Sequence, residues 1–293
     1  MSGSTDRLVA VDIGGTHARF AIATIAEDGA ISLDDPETLH TADHVSFQTA
    51  WEDYRERKGG HLPDAVSLAI AGRTSGDAIR FTNNPWVIRP ALIKEKLGAT
   101  RYTLVNDFAA VAHAVAQAPD DQFLHLAGPD QPLAAEGTLS VLGPGTGLGV
   151  AHLWRDSSGY RVQATEGGHV DFAPLDQIED AILARLRKRH MRVSVERVVS
   201  GPGIVEIYAT LAALEGKPVA EMDDVSIWQA GMEGSDSLAA AAVDRFCLAL
   251  GSVAGDFALA QGGFGGVVIA NEGLTRDSAQ KLIEQGHADA AGF

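Results

Sequence analysis

Apolar residues fall in short runs separated by glycine-rich turns, first near the N-terminus and again in mid-chain, a rhythm of buried strands joined by tight connections. Leu8–Ile13 and Ala18–Ile25 flank Gly14-Gly15-Thr16 and predict a hairpin with the glycine pair at its turn. Val66–Ala71 and Tyr102–Val105 predict further buried strands. Phe108–Gln117 carries alanine, valine and histidine at helical spacing, with Asn106 or Asp107 as its cap. A second hairpin is predicted from Leu139–Gly143 and Leu148–Leu153 around Pro144-Gly145-Thr146-Gly147. Shifted by 130 residues, Val11 falls on Val141, Gly15 on Gly145 and Thr16 on Thr146. The strand–turn–strand unit therefore reads as an internal duplication, and two related halves facing a shared cleft are the architecture it predicts.

Beyond the second hairpin, Gln177–His190, Gly203–Glu215 and the alanine-rich Ser237–Gln261 predict helices, the last stopped by Gly262-Gly263. Gly216–Asp236 is polar and reads as a loop or a short helical insertion, and Gly266–Ala270 as a final strand. No low-complexity or charged linker divides the chain. Topology places the boundary near residue 113, with a small N-terminal domain over 1–113 and a large domain over 114–293.

Composition narrows the partners. With 293 residues, 45% hydrophobic and 21% charged, the chain has room for two ordinary domains and a sizeable core. Its 23 Lys and Arg against 39 Asp and Glu leave a net charge of -16. An acidic surface repels nucleic-acid phosphates and anionic membranes, so neither is expected as a partner. An anion such as ATP must then be held by local dipoles and a metal. A single cysteine, Cys247, excludes an internal disulfide framework and any multi-cysteine zinc site, and its apolar setting predicts core packing. Met1–Arg7 has no secretory h-region, and no uncharged apolar run reaches the ~18 residues of a membrane span, so a cytoplasmic protein is expected.

Phosphoryl transfer needs a cradle of backbone N–H groups, a metal and a positioned base. A Gly-Thr turn can supply the cradle, because glycine lets the backbone approach an anion. The same glycines would also serve a plain tight hairpin, but two such turns in matching context favour the phosphate role. Neither is a Walker A loop, since no lysine follows the glycines. Asp12, just before the first turn, is a candidate Mg²⁺ ligand, directly or through water. Asn106-Asp107 lies between a strand and a helix, where one residue can cap while the carboxylate of the other accepts a hydroxyl proton. Glu166-Gly167-Gly168-His169 sets an acid and an imidazole three residues apart, a donor–acceptor pair suited to sugar hydroxyls. A metal site recruiting Asp171 and His190 is the competing idea, although the spacing matches no zinc pattern. Glu196 is either a further hydroxyl acceptor or a surface helix charge.

Six segments in order resemble the bacterial glucokinase family: Val11–Arg19, Thr82–Trp86, Asn106–Ala110, Gly143–Gly149, Glu166–Pro174 and Glu196–Gly203. The resemblance covers roughly residues 7 to 270. The resemblance implies the α/β, two-domain actin-like (ribonuclease H-like) ATPase fold with a cleft between domains. It implies an ATP-dependent hexose kinase that transfers the γ-phosphate to the 6-hydroxyl of glucose, with ATP and Mg²⁺ as cofactors and Asp107 as the catalytic base. Asn106, Glu166, His169 and Glu196 would hold glucose hydroxyls, and Asn83 or Asn84 would line the sugar pocket. Gly14, Gly15 and Thr16 with Gly145, Thr146 and Gly147 would contact the phosphates. His17 stands where the family usually has asparagine. The related repressor/open-reading-frame/kinase family carries a cysteine-rich zinc motif that this chain lacks.

The resemblance weakens at the C-terminus. After Gly265–Ala270 the family would place a second Gly-Gly pair against the adenosine and continue to a closing helix, whereas this chain reads Asn271-Glu272-Gly273 and departs from the pattern over 271–293. Glu272 would bring negative charge toward the nucleotide. Apolar surface on the small domain would be left for a partner subunit, as in a homodimer, to cover. The alternative expectation is accordingly a sugar-binding protein of the same ancestry with impaired nucleotide binding and little kinase activity. In an active enzyme the cleft is expected to close on glucose and exclude water.

Overall fold

The computed structural model describes residues 6–72, 74–81 and 84–270. Its strands are β1 Asp6–Ile13, β2 His17–Ile25, β3 Ile31–Leu33, β4 Glu37–His40, β5 Ala65–Ile70, β6 Ile79–Arg80, β7 Val87–Ile88, β8 Arg101–Asn106, β9 Gly137–Pro144, β10 Leu148–Asp156, β11 Gly159–Thr165 and β12 Val267–Ile269. The helices are α1 Phe47–Arg57, α2 Ile93–Leu97, α3 Asp107–Gln117, α4 Gln177–Arg187, α5 Gly201–Leu214, α6 Asp224–Glu233 and α7 Ser237–Gln261. The chain divides into two units inside α3, one ending at Ala110 and the other starting at Val111.

In the first unit the sheet runs β3-β2-β1-β5-β8, with β4 also on β2. β1 is antiparallel to β2 and parallel to β5, which is parallel to β8. The register aligns Ile13, Ile70 and Asn106, so the first Gly-Thr turn and Asp107 leave the sheet at one carboxyl edge. Ligands of open α/β sheets bind at that kind of edge. α1 covers the sheet because Phe47, Ala50, Trp51 and Tyr54 recur at helical spacing and are all buried. Ser46 and Thr49 close its N-terminus as a reciprocal capping box. This helix escapes the strand-and-turn reading of the sequence, although its apolar stripe is regular. Phe20 stacks on Tyr54 at 4.9 Å between ring centroids, and burial pushes the Tyr54 hydroxyl up to about 12.

The second unit repeats the plan. β9 and β10 form a hairpin, β11 extends it, and β12 pairs parallel with β9 as β5 does with β1. The two hairpins differ at their tips. The first ladder closes on Ile13 and Ala18 and leaves residues 14–17 in the turn; the second closes on Pro144 and Leu148 and leaves only 145–147.

α5 begins two residues earlier than the sequence suggests, because Ser200 accepts from the Gly203 N–H and Pro202 fits the first turn. Part of the polar stretch before α7 is helical, as α6, capped by Asp223 and anchored by buried Ile227. α7 is apolar and long enough to cross a bilayer by length and composition, but Leu238, Ala242, Phe246, Ala249, Val253 and Phe257 pack into the core of the unit. Cys247 lies partly buried against that core, and burial pushes its thiol up to about 12, as a packing role predicts.

α4 and α5 are joined by Arg185 and Arg189, both paired with Glu206. Burial opposes charge on Glu206, but the two arginines outweigh it and hold the carboxyl below its ordinary value. A lowered folded-state pKa stabilises above the ordinary carboxylate range, and the gain is lost as pH falls through the folded value. Because Arg189 is half-exposed, Glu206→Gln is expected to cost about 1–2 kcal/mol at neutral pH. The deficit should shrink as pH falls below the ordinary carboxylate range and close only once pH has passed below the lowered folded value, where the wild-type carboxyl is itself neutral. Urea unfolding at neutral and at acid pH checks it; an equal deficit in acid would show that packing, not charge, is involved.

Candidate active site

Both Gly-Thr turns leave two consecutive N–H groups without a partner among the described residues, although their carbonyls are held differently. In the first, the carbonyl of Gly14 accepts from Asn84 Nδ2 at 3.3 Å, that of Gly15 from Thr41 Oγ1 at 2.9 Å, and that of Thr16 from the Thr41 N–H at 2.9 Å. The Gly14 N–H donates to the His17 carbonyl at 2.9 Å. The N–H groups of Gly15 and Thr16 donate to nothing among the described residues. In the second turn the Gly145 N–H donates to the Gly147 carbonyl, and the Gly145 carbonyl accepts from the Gly201 N–H, both at 2.8 Å. There Thr146 and Gly147 keep undonated N–H groups among the described residues. Carbonyls tied from behind and N–H groups left outward make an anion cradle.

The glycines divide by cause. Gly14 and Gly145 have no left-handed φ, and an added Cβ would meet only ordinary contact at Gly14 and open space at Gly145. Among the described residues nothing demands glycine at Gly145. At Gly147 a Cβ would run into the Glu196 carboxylate, and at Gly168 into the Leu148 carbonyl. At Gly167 it would lie 2.8 Å from the Phe257 ring and 3.0 Å from Val150. The Gly167-Gly168 pair thus lets the 3-10 turn Gly167–His169 lie directly on β10 and α7.

That close approach assembles a polar cluster in the second unit. His169 Nε2 is 3.7 Å from Glu166 and its Nδ1 is 3.9 Å from Glu196. Glu196 Oε2 also accepts from the Leu148 N–H at 3.1 Å, which moors it beside the second turn. The backbone links Phe172 N–H to Val193 and Val195 N–H to Val170 bring the two sequence segments together. Asp171 instead pairs with Arg192 and takes no part in a metal cluster with His190. Among the described residues no group of three or more metal-ligating side chains converges. A cavity of about 220 Å³ adjoins Glu196 and Thr146, and the sequence reading did not find Arg189 and Arg197 in its lining. Arg197 stands beside Glu196 within the Glu196–Gly203 segment, whereas Arg189, just after α4, belongs to no motif and is held there by its pair with Glu206 of α5.

In the first unit Asn106 caps α3, its Oδ1 accepting from the Ala109 N–H at 3.0 Å while its Nδ2 donates to the Gly72 carbonyl at 3.1 Å. Asp107 Oδ1 accepts from the Phe108 N–H at 2.8 Å. Asp12 pairs with Arg19 across the hairpin at 3.1 Å. Asn84 is buried and uses its amide on Gly14 and the Trp86 N–H, bracing the turn. The expectations for Asn83 and for 271–293 lie outside the described residues.

The glucokinase family model matches residues 8–288 and so continues past Ala270. A glucokinase of Zymomonas mobilis is 54% identical over 267 residues, covering 91% of this chain and 82% of that relative. Among solved structures, a glucokinase from an Antarctic psychrotroph has a TM-score of 0.80 at 32% identity, over 98% of this chain and 88% of that one. A glucokinase of Balamuthia mandrillaris, solved in complex with glucose, has a TM-score of 0.77 at 21% identity, over 98% and 85%; at that identity the likeness speaks for the fold alone. The α/β chain has the two-domain actin-like ATPase fold expected from its motifs.

The two glycine clashes predict different outcomes. Gly168→Ala meets backbone and is expected to cost about 1–3 kcal/mol in urea unfolding. Gly147→Ala meets only the movable end of Glu196 and is expected to unfold within about 0.5 kcal/mol of wild type. The reverse order would show that the close approach at Gly168 is not rigid.

Proposed function

The chain belongs to the glucokinase family, and on that premise we propose that it transfers the γ-phosphate of ATP to the 6-hydroxyl of glucose. The observation that carries the reading is the pair of turns, each of which leaves two consecutive N–H groups without a partner among the described residues and so open to an anion. That Gly145 has neither a strained φ nor a neighbour in the way supports a glycine kept for the close approach of phosphate.

In this reading Asp107 accepts the proton of the sugar hydroxyl as its oxygen bonds to the γ-phosphorus. The bond from phosphorus to the bridging oxygen breaks, and the electron pair leaves with ADP. Asn106 positions Asp107 by capping α3. Glu166, His169 and Glu196 hold sugar hydroxyls, each of which offers one donor and two acceptor lone pairs. Asn83 and Asn84 take a supporting place, Asn84 through the turn it braces. Gly14, Gly15 and Thr16 with Gly145, Thr146 and Gly147 hold phosphates. Mg²⁺ would travel on the phosphates and neutralise their charge, with Asp12 as one protein oxygen; a site of one or two carboxylates plus phosphate suits that ion. We further infer a cytoplasmic enzyme without nucleic-acid or membrane partners, in keeping with the net charge of -16, and a homodimer as its assembly. The alternative of a sugar-binding protein without kinase activity is not favoured by 54% identity to a glucokinase.

Asp107→Ala is expected to lower kcat for glucose phosphorylation about 10²–10⁴-fold while leaving the KM for both substrates within a few-fold. A coupled assay with Mg-ATP measures it. Undiminished turnover in this variant would remove Asp107 from the mechanism.

A further inference from the structure

Thr16, at the tip of the first turn, has its hydroxyl oxygen 3.0 Å from Nδ1 of His17. His17 pairs with His40 across β2 and β4, and the two rings lie 4.6 Å apart at 49°. The next residue after His40 is Thr41, which donates both its N–H and its hydroxyl to the turn. The imidazole is therefore held in place on one side by a second ring and on the other by the turn it serves.

The direction of the Thr16–His17 hydrogen bond decides what the turn can bind. If Nδ1 is bare, it accepts the Thr16 proton and the hydroxyl shows only lone pairs outward, which repel an anion. If Nδ1 carries a proton, it donates to Thr16 Oγ1 and releases the hydroxyl proton for a phosphate oxygen. Nδ1 is protonated in one neutral tautomer and always in the imidazolium.

We propose that His17 is a positioning residue for the phosphoryl donor: its Nδ1–H turns the Thr16 hydroxyl outward, so that nucleotide affinity rises as His17 takes up a proton. The inference rests on the phosphate role of the first turn. His40 faces His17 from β4, with the ring centroids 4.6 Å apart. The charged groups on the elements next to it include the Asp12–Arg19 pair on β1 and β2, Glu37 on β4, Asp43 after β4, and the His44–Asp53 pair leading into α1.

The test measures AMP-PNP binding by calorimetry with magnesium from pH 8 to 5.5, in wild type and in Thr16→Val, His17→Ala and His17→Asn. Wild-type affinity should rise toward low pH beyond any change in the nucleotide's own charge. His17→Ala should bind about five-fold more weakly at pH 6 and lose that extra rise. His17→Asn, whose amide can donate from nearly the same position, should restore affinity but not the pH dependence. Long-range ¹H–¹⁵N NMR should find Nδ1 of His17 protonated in the complex. An Nδ1 left bare in the complex, or His17→Ala matching wild type at every pH while Thr16→Val weakens binding, would overturn the role of His17 alone. Thr16→Val binding as wild type at every pH would overturn the role of the Thr16 hydroxyl and with it that of His17, since the backbone N–H groups survive the change. Wild-type protein that binds no AMP-PNP at any pH would instead overturn the phosphate reading of the turn itself.

Discussion

The arrangement on which the rest depends is the fixing of turn carbonyls from behind. A peptide group offers a donor and an acceptor, and an anion is attracted to the first and repelled by the second. In the first turn Asn84 and Thr41 hold three successive carbonyls, and in the second Gly201 holds that of Gly145. Each of these anchors comes from a segment distant in sequence. Three structural features therefore exist largely to orient a few peptide planes: buried Asn84, the Thr41 turn after β4, and the start of α5.

Close packing does the same for the side chains of the second unit. The pairing of Gly167 and Gly168 lets a short turn press onto β10 and Phe257, and Gly147 admits the Glu196 carboxylate to the Leu148 N–H. Glu166, His169 and Glu196 are brought within ion-pair distance by backbone that carries no side chain in the way. A cluster set by backbone contact is stiffer than one set by long side chains, and stiffness is what orienting a sugar hydroxyl requires. The first unit uses register instead: Ile13, Ile70 and Asn106 lie in one row, so neighbouring strands ~4.8 Å apart deliver the turn and Asp107 to one edge.

Much of this is legible in the sequence. Both hairpins, the cap at Asn106, α7 and its glycine stop follow from local pattern, because turns, caps and period-2 strands are decided within a few residues. The duplication was legible as an offset, although the difference of one residue at the turn was not; it comes from how each ladder closes. α1 was missed despite a regular stripe of Phe47, Ala50, Trp51 and Tyr54. Asn84 illustrates the opposite limit: a motif asparagine suggests a ligand contact, yet its burial against Gly14 and Trp86 gives it a bracing role.

The sequence by itself determined the kinds of groups present: two Gly-Thr turns, a carboxylate beside a helix cap, an acid and an imidazole across two glycines, and a family pattern that joins them. Tertiary structure alone decided which glycines are demanded by packing and which are not, and that Glu196 reaches the second turn. It also decided that His17 meets His40, more than twenty residues further along the chain, across β2 and β4. The physical reason is range. Turn and cap chemistry is written in neighbouring residues, whereas the direction of a hydrogen bond or the room for a Cβ depends on atoms that only folding brings near.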